Sequence, residues 1–216
     1  MELILVRHAE TAHNRDGLVQ GRADHELSER GRAQAAALAR ALRDRPVRAV
    51  YSSPLRRALA TAEAVAAAHG LPVRVEPDLT ELDVGEMEGL SLPEMRQRYA
   101  EFLQRWLSPE APGLPLPGGE SLEACQARVW GVIQRIRGAH PEDAVVVVSH
   151  NFALMTVLCR LLDLPLAGFR RLRQSVAGYS VVEVWEGRTL LRRLNETCHL
   201  EEAGLGVPEW RREAAR

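Results

Sequence analysis

The sequence predicts an α/β fold: a three-layer α/β/α arrangement around a mostly parallel, mixed sheet. Three observations predict it. Short apolar runs alternate with amphipathic segments along the chain, as in sheets covered on both faces by helices. Two of the runs, Leu3-Ile-Leu-Val6 and Ala144 to Val148, are continuously apolar, which suits strands buried on both sides. Late in the chain, Tyr179 to Trp185 and Arg188 to Leu194 flank Glu186-Gly187 as a hairpin, which adds one antiparallel strand.

The elements follow in order. Leu3 to Val6 is the first strand, and Ser28 to Leu42 an Ala- and Arg-rich helix. Val47 to Tyr51 is a second strand. Ser53 and Pro54 then open a helix, Ser as N-cap and Pro at the first helical position. That helix runs through Leu55, Leu59, Ala62 and Val65 to a stop at Gly70, and Pro72 to Val75 is a short third strand. The stretch from Asp83 to Gly119 is different: a helix at Leu92 to Leu107 is followed by Ser108 to Gly119, with four prolines and three glycines in twelve residues. Such a run is irregular structure, and the stretch reads as a small cap or insertion in one domain spanning 1–216. Phe102 and Trp106 within it read as packing residues. Ser121 caps the next helix, with Leu122, Cys125, Val129, Ile133 and Ile136 on one face. The strand Ala144 to Val148 follows, then a helix from about Asn151 to Leu162, ended by Pro165. The polar tail, 195–216, reads as a terminal turn covering the sheet edge.

Composition removes whole classes of function. The 28 basic residues are all arginine, and against 29 acids they leave a net charge of −1. A binder resting on excess cations along nucleic acid is excluded, as is lysine chemistry such as a Schiff base or P-loop. Any anion site is built from arginine, histidine and backbone N–H groups. Cys125, Cys159 and Cys198 are odd in number and widely spaced, so neither a disulfide framework nor a zinc knuckle is expected. The apolar run before Arg7 is too short for a signal peptide, and no window is apolar enough to span a membrane, so the expected location is cytoplasmic.

The chemistry-bearing residues sit where strands end. His8 follows Leu3 to Arg7, and His150 follows Val145 to Ser149. Ligands of open α/β sheets bind beyond the carboxyl ends of the strands, so the two histidines and Arg7 share a candidate site. Arg56 and Arg57 fall in the first turn of a helix, where the dipole disfavours cations but welcomes anions. Glu81, just after the third strand, is placed to act as a proton donor if burial raises its pKa.

Leu5-Val-Arg-His-Ala-Glu-Thr-Ala-His-Asn14, with Gln20-Gly21-Arg22, Leu27-Ser28 and Gly31, resembles the Arg-His-Gly-Glu signature of the histidine phosphatase superfamily, in its phosphoglycerate-mutase-like branch. Ser52 to Ala62, Leu79 to Gly89 and Val147 to His150 are similar to three further motifs of that family, in family order. The resemblance implies a phosphomonoester hydrolase working without metal or other cofactor on a small phosphorylated metabolite. It implies His8 as the nucleophile that becomes phosphohistidine, Arg7 and Arg57 as clamps on the phosphoryl oxygens, His150 as completing the pocket, and Glu81 as the general acid. Asn14 and the Gln20-Gly21 backbone would line the phosphate site, with Arg22 reaching toward substrate. Ala9 and Asn151 stand where the family usually has glycine, and Asn151 adds a side chain at the pocket mouth. Specificity would lie in Arg22, the cap from Met87 to Pro117, and Asn151. Two alternatives stand beside this reading: a cofactor-dependent phosphoglycerate mutase, and a non-catalytic regulator that binds phosphorylated ligands. The hairpin leaves a sheet edge to be covered, for which a homodimer is the expected arrangement.

Overall fold

The structure is a computed structural model describing residues 1–206. The part of the tail from 207 onward lies outside the described residues. Six strands form one sheet in the order β3-β2-β4-β1-β5-β6. They are β1 (Glu2–Arg7), β2 (Val47–Ser52), β3 (Val73–Val75), β4 (Ala144–Ser149), β5 (Tyr179–Trp185) and β6 (Arg188–Glu196). β4 pairs in parallel with both β1 and β2, and every one of its six residues is buried. β5 alone runs against the others, pairing antiparallel with β1 and β6, so the sheet is mixed as expected.

Period-2 alternation divides the core between the two faces. Leu3, Leu5, Val145 and Val147 pack with α6 (Leu122–Ala139) and α7 (Asn151–Leu161). Ile4, Val6, Val146 and Val148 pack with α2 (Glu29–Leu42) and α3 (Arg56–His69). Ser28 and Ser121 cap α2 and α6, accepting from Gly31 N (2.9 Å) and Ala124 N (3.1 Å). Gly70 ends α3 at φ +63°, where a left-handed turn favours glycine.

Three expectations need correction. α3 begins at Arg56 with Leu55 as N-cap and no side-chain cap, so Ser53 and Pro54 lie before it. Ser53 Oγ instead faces His150, and Asp24 Oδ1 accepts the Arg56 N–H at 2.7 Å, capping α3 from a distant loop. The single helix expected over Leu92 to Leu107 is two: α4 (Leu92–Arg98) and α5 (Ala100–Trp106), broken at Tyr99 (φ −129°, ψ 33°). The break lets Trp106 meet Phe169 edge-on at 6.0 Å while the Tyr99 hydroxyl donates to Glu86. Finally, the Pro-rich run holds one short 3-10 turn at Ala111–Gly113, with Ala111 and Leu116 buried in the core. A short helix not anticipated, α1 (Ala12–Asp16), follows β1 and is opened by a Thr11–Asn14 capping box. In the tail, α8 (Cys198–Glu202) buries His199, which bonds Ala177 O at 3.1 Å.

Candidate active site

Parallel pairing of β1 with β4 aligns Arg7 with Ser149, so the next residue of each strand enters the same crevice. His8 N donates to Ser149 O at 3.0 Å, extending the ladder by one residue. The rings of His8 and His150 lie 5.1 Å apart between centroids, and both residues are buried. Arg57, fully buried, reaches the same place from the first turn of α3, while Arg56 points outward to Glu26. Glu81 arrives from the loop after β3.

His8 is held in one tautomer. Its Nδ1 lies 2.7 Å from Ala9 O, a group that only accepts, so Nδ1 carries the proton and Nε2 keeps its lone pair. Burial, with the nearby Arg57 and Arg7 charges, lowers the His8 pKa well below its ordinary value. The ring is therefore neutral and nucleophilic at pH 7. His150 is lowered in the same way, first by burial and then by Arg57; its Nε2 pairs with Ser53 Oγ at 2.8 Å.

The two arginines are oriented differently. Arg57 donates through Nη1 to Ala23 O (2.7 Å) and through Nη2 to Gly21 O (2.6 Å). The Gln20 amide, with its oxygen toward Arg57, accepts from Nε (3.2 Å) and Nη1 (3.0 Å). Four of its five N–H groups are thus engaged, fixing the fork and leaving one Nη2 N–H. Arg7 donates through Nη1 alone, to Gln174 O (2.6 Å) and Asn151 Oδ1 (3.4 Å). Its buried Nε has no partner among the described residues. Nε and Nη2, the parallel edge that grips two oxygens of one oxyanion, stay open. Burial lowers the Arg7 pKa to about 10, which leaves it charged at neutral pH. His150 Nδ1 is a second buried nitrogen of this site without a partner among the described residues. Orphaned buried polar atoms of this kind mark a site built for a polar ligand.

Glu81 is pinned at the N-terminus of α7. Its Oε1 accepts from Leu82 N (2.8 Å) and Ala153 N (3.1 Å), and its Oε2 from Phe152 N (3.1 Å). Burial raises its pKa; the three N–H donors and Arg7 pull the other way without overcoming it. The result is a carboxyl inclined to hold a proton, where Asn151 and Phe152 face an outer cleft of about 1240 Å³.

Asn14, Gln20 and Gly21 converge on this site through one another. The Thr11 hydroxyl accepts from the Gln20 amide nitrogen (2.7 Å) and from Asn14 N (3.2 Å). A Cβ on Gly21 would lie 2.9 Å from Leu82 O and 2.6 Å from Val84 Cγ2, so only glycine passes there. Asn14 and Asn151 also line the cleft. Arg22 is placed elsewhere: it pairs with Asp83 (3.3 Å) and Glu120 (3.0 Å) and does not line the cleft. Trp106, expected as packing, both packs and lines the cleft; Phe102 stacks on it at 5.9 Å.

Sequence reasoning missed four supports. Thr61 Oγ1 accepts from Ala9 N at 3.0 Å and ties the His8 segment to α3. Glu88 accepts from Gly21 N (2.9 Å) and Ala23 N (3.2 Å), holding the loop whose carbonyls hold Arg57. Arg128 on α6 donates to the carbonyls of Asp78 (2.8 Å), Thr80 (2.7 Å) and Glu81 (2.8 Å), clasping the acid-bearing loop. Glu120 takes Arg128 at 2.5 Å and Arg22 at 3.0 Å, joining that loop to the phosphate loop. Glu88 stands inside a motif that signalled importance; an arginine and a glutamate on or before a helix carry no such signal. Among the described residues no group of three or more His, Cys, Asp or Glu is arranged to hold a metal ion, and no helix is long and apolar enough to cross a membrane.

Comparison with known proteins agrees with this geometry. The chain is 40% identical to phosphoserine phosphatase 1 of Hydrogenobacter thermophilus, over 94% of this chain and 95% of that one. It is 32% identical to the adenosylcobalamin/alpha-ribazole phosphatase of Salmonella typhimurium, over 90% and 96%. The structure of a mycobacterial glucosyl-3-phosphoglycerate phosphatase superposes with a TM-score of 0.84 at 30% identity, covering 91% of this chain and 99% of that one. Residues 3–197 match the histidine phosphatase superfamily, branch 1, as a whole. The chain therefore belongs to that superfamily, and it is a phosphoric monoester hydrolase of the phosphoglycerate-mutase-like fold.

Proposed function

We propose that this enzyme hydrolyses a small phosphorylated metabolite through a phosphohistidine formed on His8. The observation that carries this reading is the His8 tautomer: Nδ1–H is spent on Ala9 O, and Nε2 keeps a free lone pair. Nε2 attacks phosphorus as the P–O ester bond breaks. The departing oxygen keeps the bonding pair and takes the Glu81 proton. Charge on the three phosphoryl oxygens is met by the open Arg7 edge, the remaining Arg57 N–H and His150, all fixed before the reaction begins. Water then attacks the phosphorus, Glu81 accepts its proton, and the P–N pair returns to Nε2. Burial favours the uncharged form of each group, lowering the His8 pKa and raising that of Glu81.

Asn14, Gln20 and Gly21 support the clamp by holding the loop against Arg57, and Asn151 by steadying Arg7. Arg22 acts through Glu120 rather than on substrate in this reading. The relatives' substrates, by their names, run from phosphoserine to glucosyl-3-phosphoglycerate, so the family leaves the leaving group open. The free cysteines suit the reducing cytoplasm. For assembly we propose a homodimer across β6, where Leu190 and Leu194 are exposed on an unpaired edge; sedimentation at the monomer mass would overturn it. The chemistry is tested by acid quench with a labelled phosphomonoester. An acid-labile, protein-bound label should form and be absent from His8→Ala; a label persisting in that variant overturns the reading.

A further inference from the structure

We infer that the outer cleft takes a phosphomonoester whose leaving group joins an apolar, ring-sized body to a second anionic group and carries no ammonium. The inference rests on the phosphatase reading above and narrows it to a substrate class.

Size comes first. At about 1240 Å³ the cleft exceeds the range of roughly 300–1,000 Å³ usual for small-molecule sites. The ester of a three-carbon amino acid would leave most of it to water. Beside Glu81 the wall carries apolar side chains. Phe152, whose N–H binds Glu81, lines the cleft with Met155, Phe169, Trp106 and Leu103. The Phe169 ring stands 6.0 Å from both Phe152 and Trp106, so a flat body entering beyond the phosphate meets aromatic surface on more than one side.

Charge decides the rest. Glu10 is the one carboxylate among the described residues lining the cleft. It is already shared: Ser28 Oγ donates to it at 2.8 Å and Arg30 Nε lies at 3.7 Å. No unshared carboxylate waits for an ammonium. Arg173, by contrast, lines the cleft and makes no hydrogen bond or ion pair among the described residues. It precedes Gln174, whose carbonyl anchors Arg7, and its charge is felt at Arg7. An open cation beside the phosphate clamp attracts a second anion and repels an ammonium.

The test uses three esters: biphenyl-4-yl phosphate, its 4′-carboxylate, and phosphoserine. Turnover is measured on the wild-type enzyme and on Arg173→Gln, and binding by calorimetry on His8→Ala. The carboxylated biaryl ester should show a KM about fivefold below the plain one, the scale of one partly exposed ion pair. Phosphoserine should show the highest KM of the three. Arg173→Gln should remove the difference between the two biaryl esters, and Arg173→Lys should retain part of it. A KM for phosphoserine at or below that of the biaryl esters overturns the inference, as does a carboxylate advantage that survives Arg173→Gln. The calorimetric ranking separates the two readings. The expected order of binding with no turnover of any ester would sink the phosphatase reading and keep the cleft assignment. Turnover of all three with phosphoserine preferred would do the reverse.

Discussion

The inner phosphate site and the outer cleft meet at Arg7 and Asn151, yet they are built from opposite materials. In the inner site each group is fixed by polar contacts, and the atoms left open are on Arg7, Arg57, His8 and His150. Arg57 is locked by Gly21, Ala23 and Gln20, His8 by Ala9, and Glu81 by three N–H groups. In the cleft, apolar side chains from α4, α5, α7 and the segment after it share the wall with polar and charged ones, and Arg173 is left open. The contrast shows how one fold separates tasks. A phosphoryl group is the same in every substrate and rewards rigid, preorganised donors. The leaving group varies, and apolar contact tolerates variation because it has no direction.

That contrast can be broken from the inside outward. The largest expected effect is at Arg57. Arg57→Ala should lower kcat/KM by about 10²–10³-fold, the usual cost of removing a transition-state donor, and Arg57→Lys should not restore it, since a point charge cannot replace the fork. Full activity of the lysine variant would show that the inner site needs charge alone. Next is Glu81→Gln. An alkyl phosphate should lose about 10²-fold or more and an aryl phosphate clearly less, because a phenolate leaves with little protonation. The pH profile gives the sign. Activity should fall on the alkaline side as Glu81, its pKa raised by burial, loses its proton. It should fall on the acid side only below the lowered pKa of His8. For aryl phosphates the Gln variant should lose the alkaline fall and keep the acid one; an unchanged alkaline limb would remove Glu81 from the role.

The smallest effect sharpens the comparison at its support. Arg128→Met should lower kcat for alkyl phosphates by about tenfold, on the order of one charge-assisted bond, with KM for a phenyl ester little changed. A merely structural Arg128 would alter both esters alike and leave the alkaline limb in place, whereas a positioning role should shift that limb with Glu81.

The sequence exposed much of this because the key residues are tied to local pattern. His8 and His150 follow runs that suit buried strands, and strand ends in such sheets define the crevice. Arg57 was distinguishable from Arg56 only by resemblance, and burial then separates them. The helix starts were less legible. Ser53-Pro54 has the composition of a helix start, but the hydroxyl is taken by His150 and the cap comes from Asp24, 32 residues away. The break at Tyr99 has no proline or glycine to announce it and serves a packing of Trp106 against Phe169.

What the sequence by itself determined is therefore the class of fold and the strand-end placement of His8, His150 and Arg7, which depend on periodicity in a short window, while Glu81 was singled out by the family resemblance. What only the tertiary structure decided is how those groups are held and what lies above them. The Arg128 clasp on the acid loop, the Glu88 grip on the phosphate loop, the turning of Arg22 to Glu120, and the open Arg173 over an aromatic wall all join residues far apart in the chain. Their partners are chosen by the three-dimensional path of the backbone, and a hydrogen bond between distant segments leaves no period in the sequence to read.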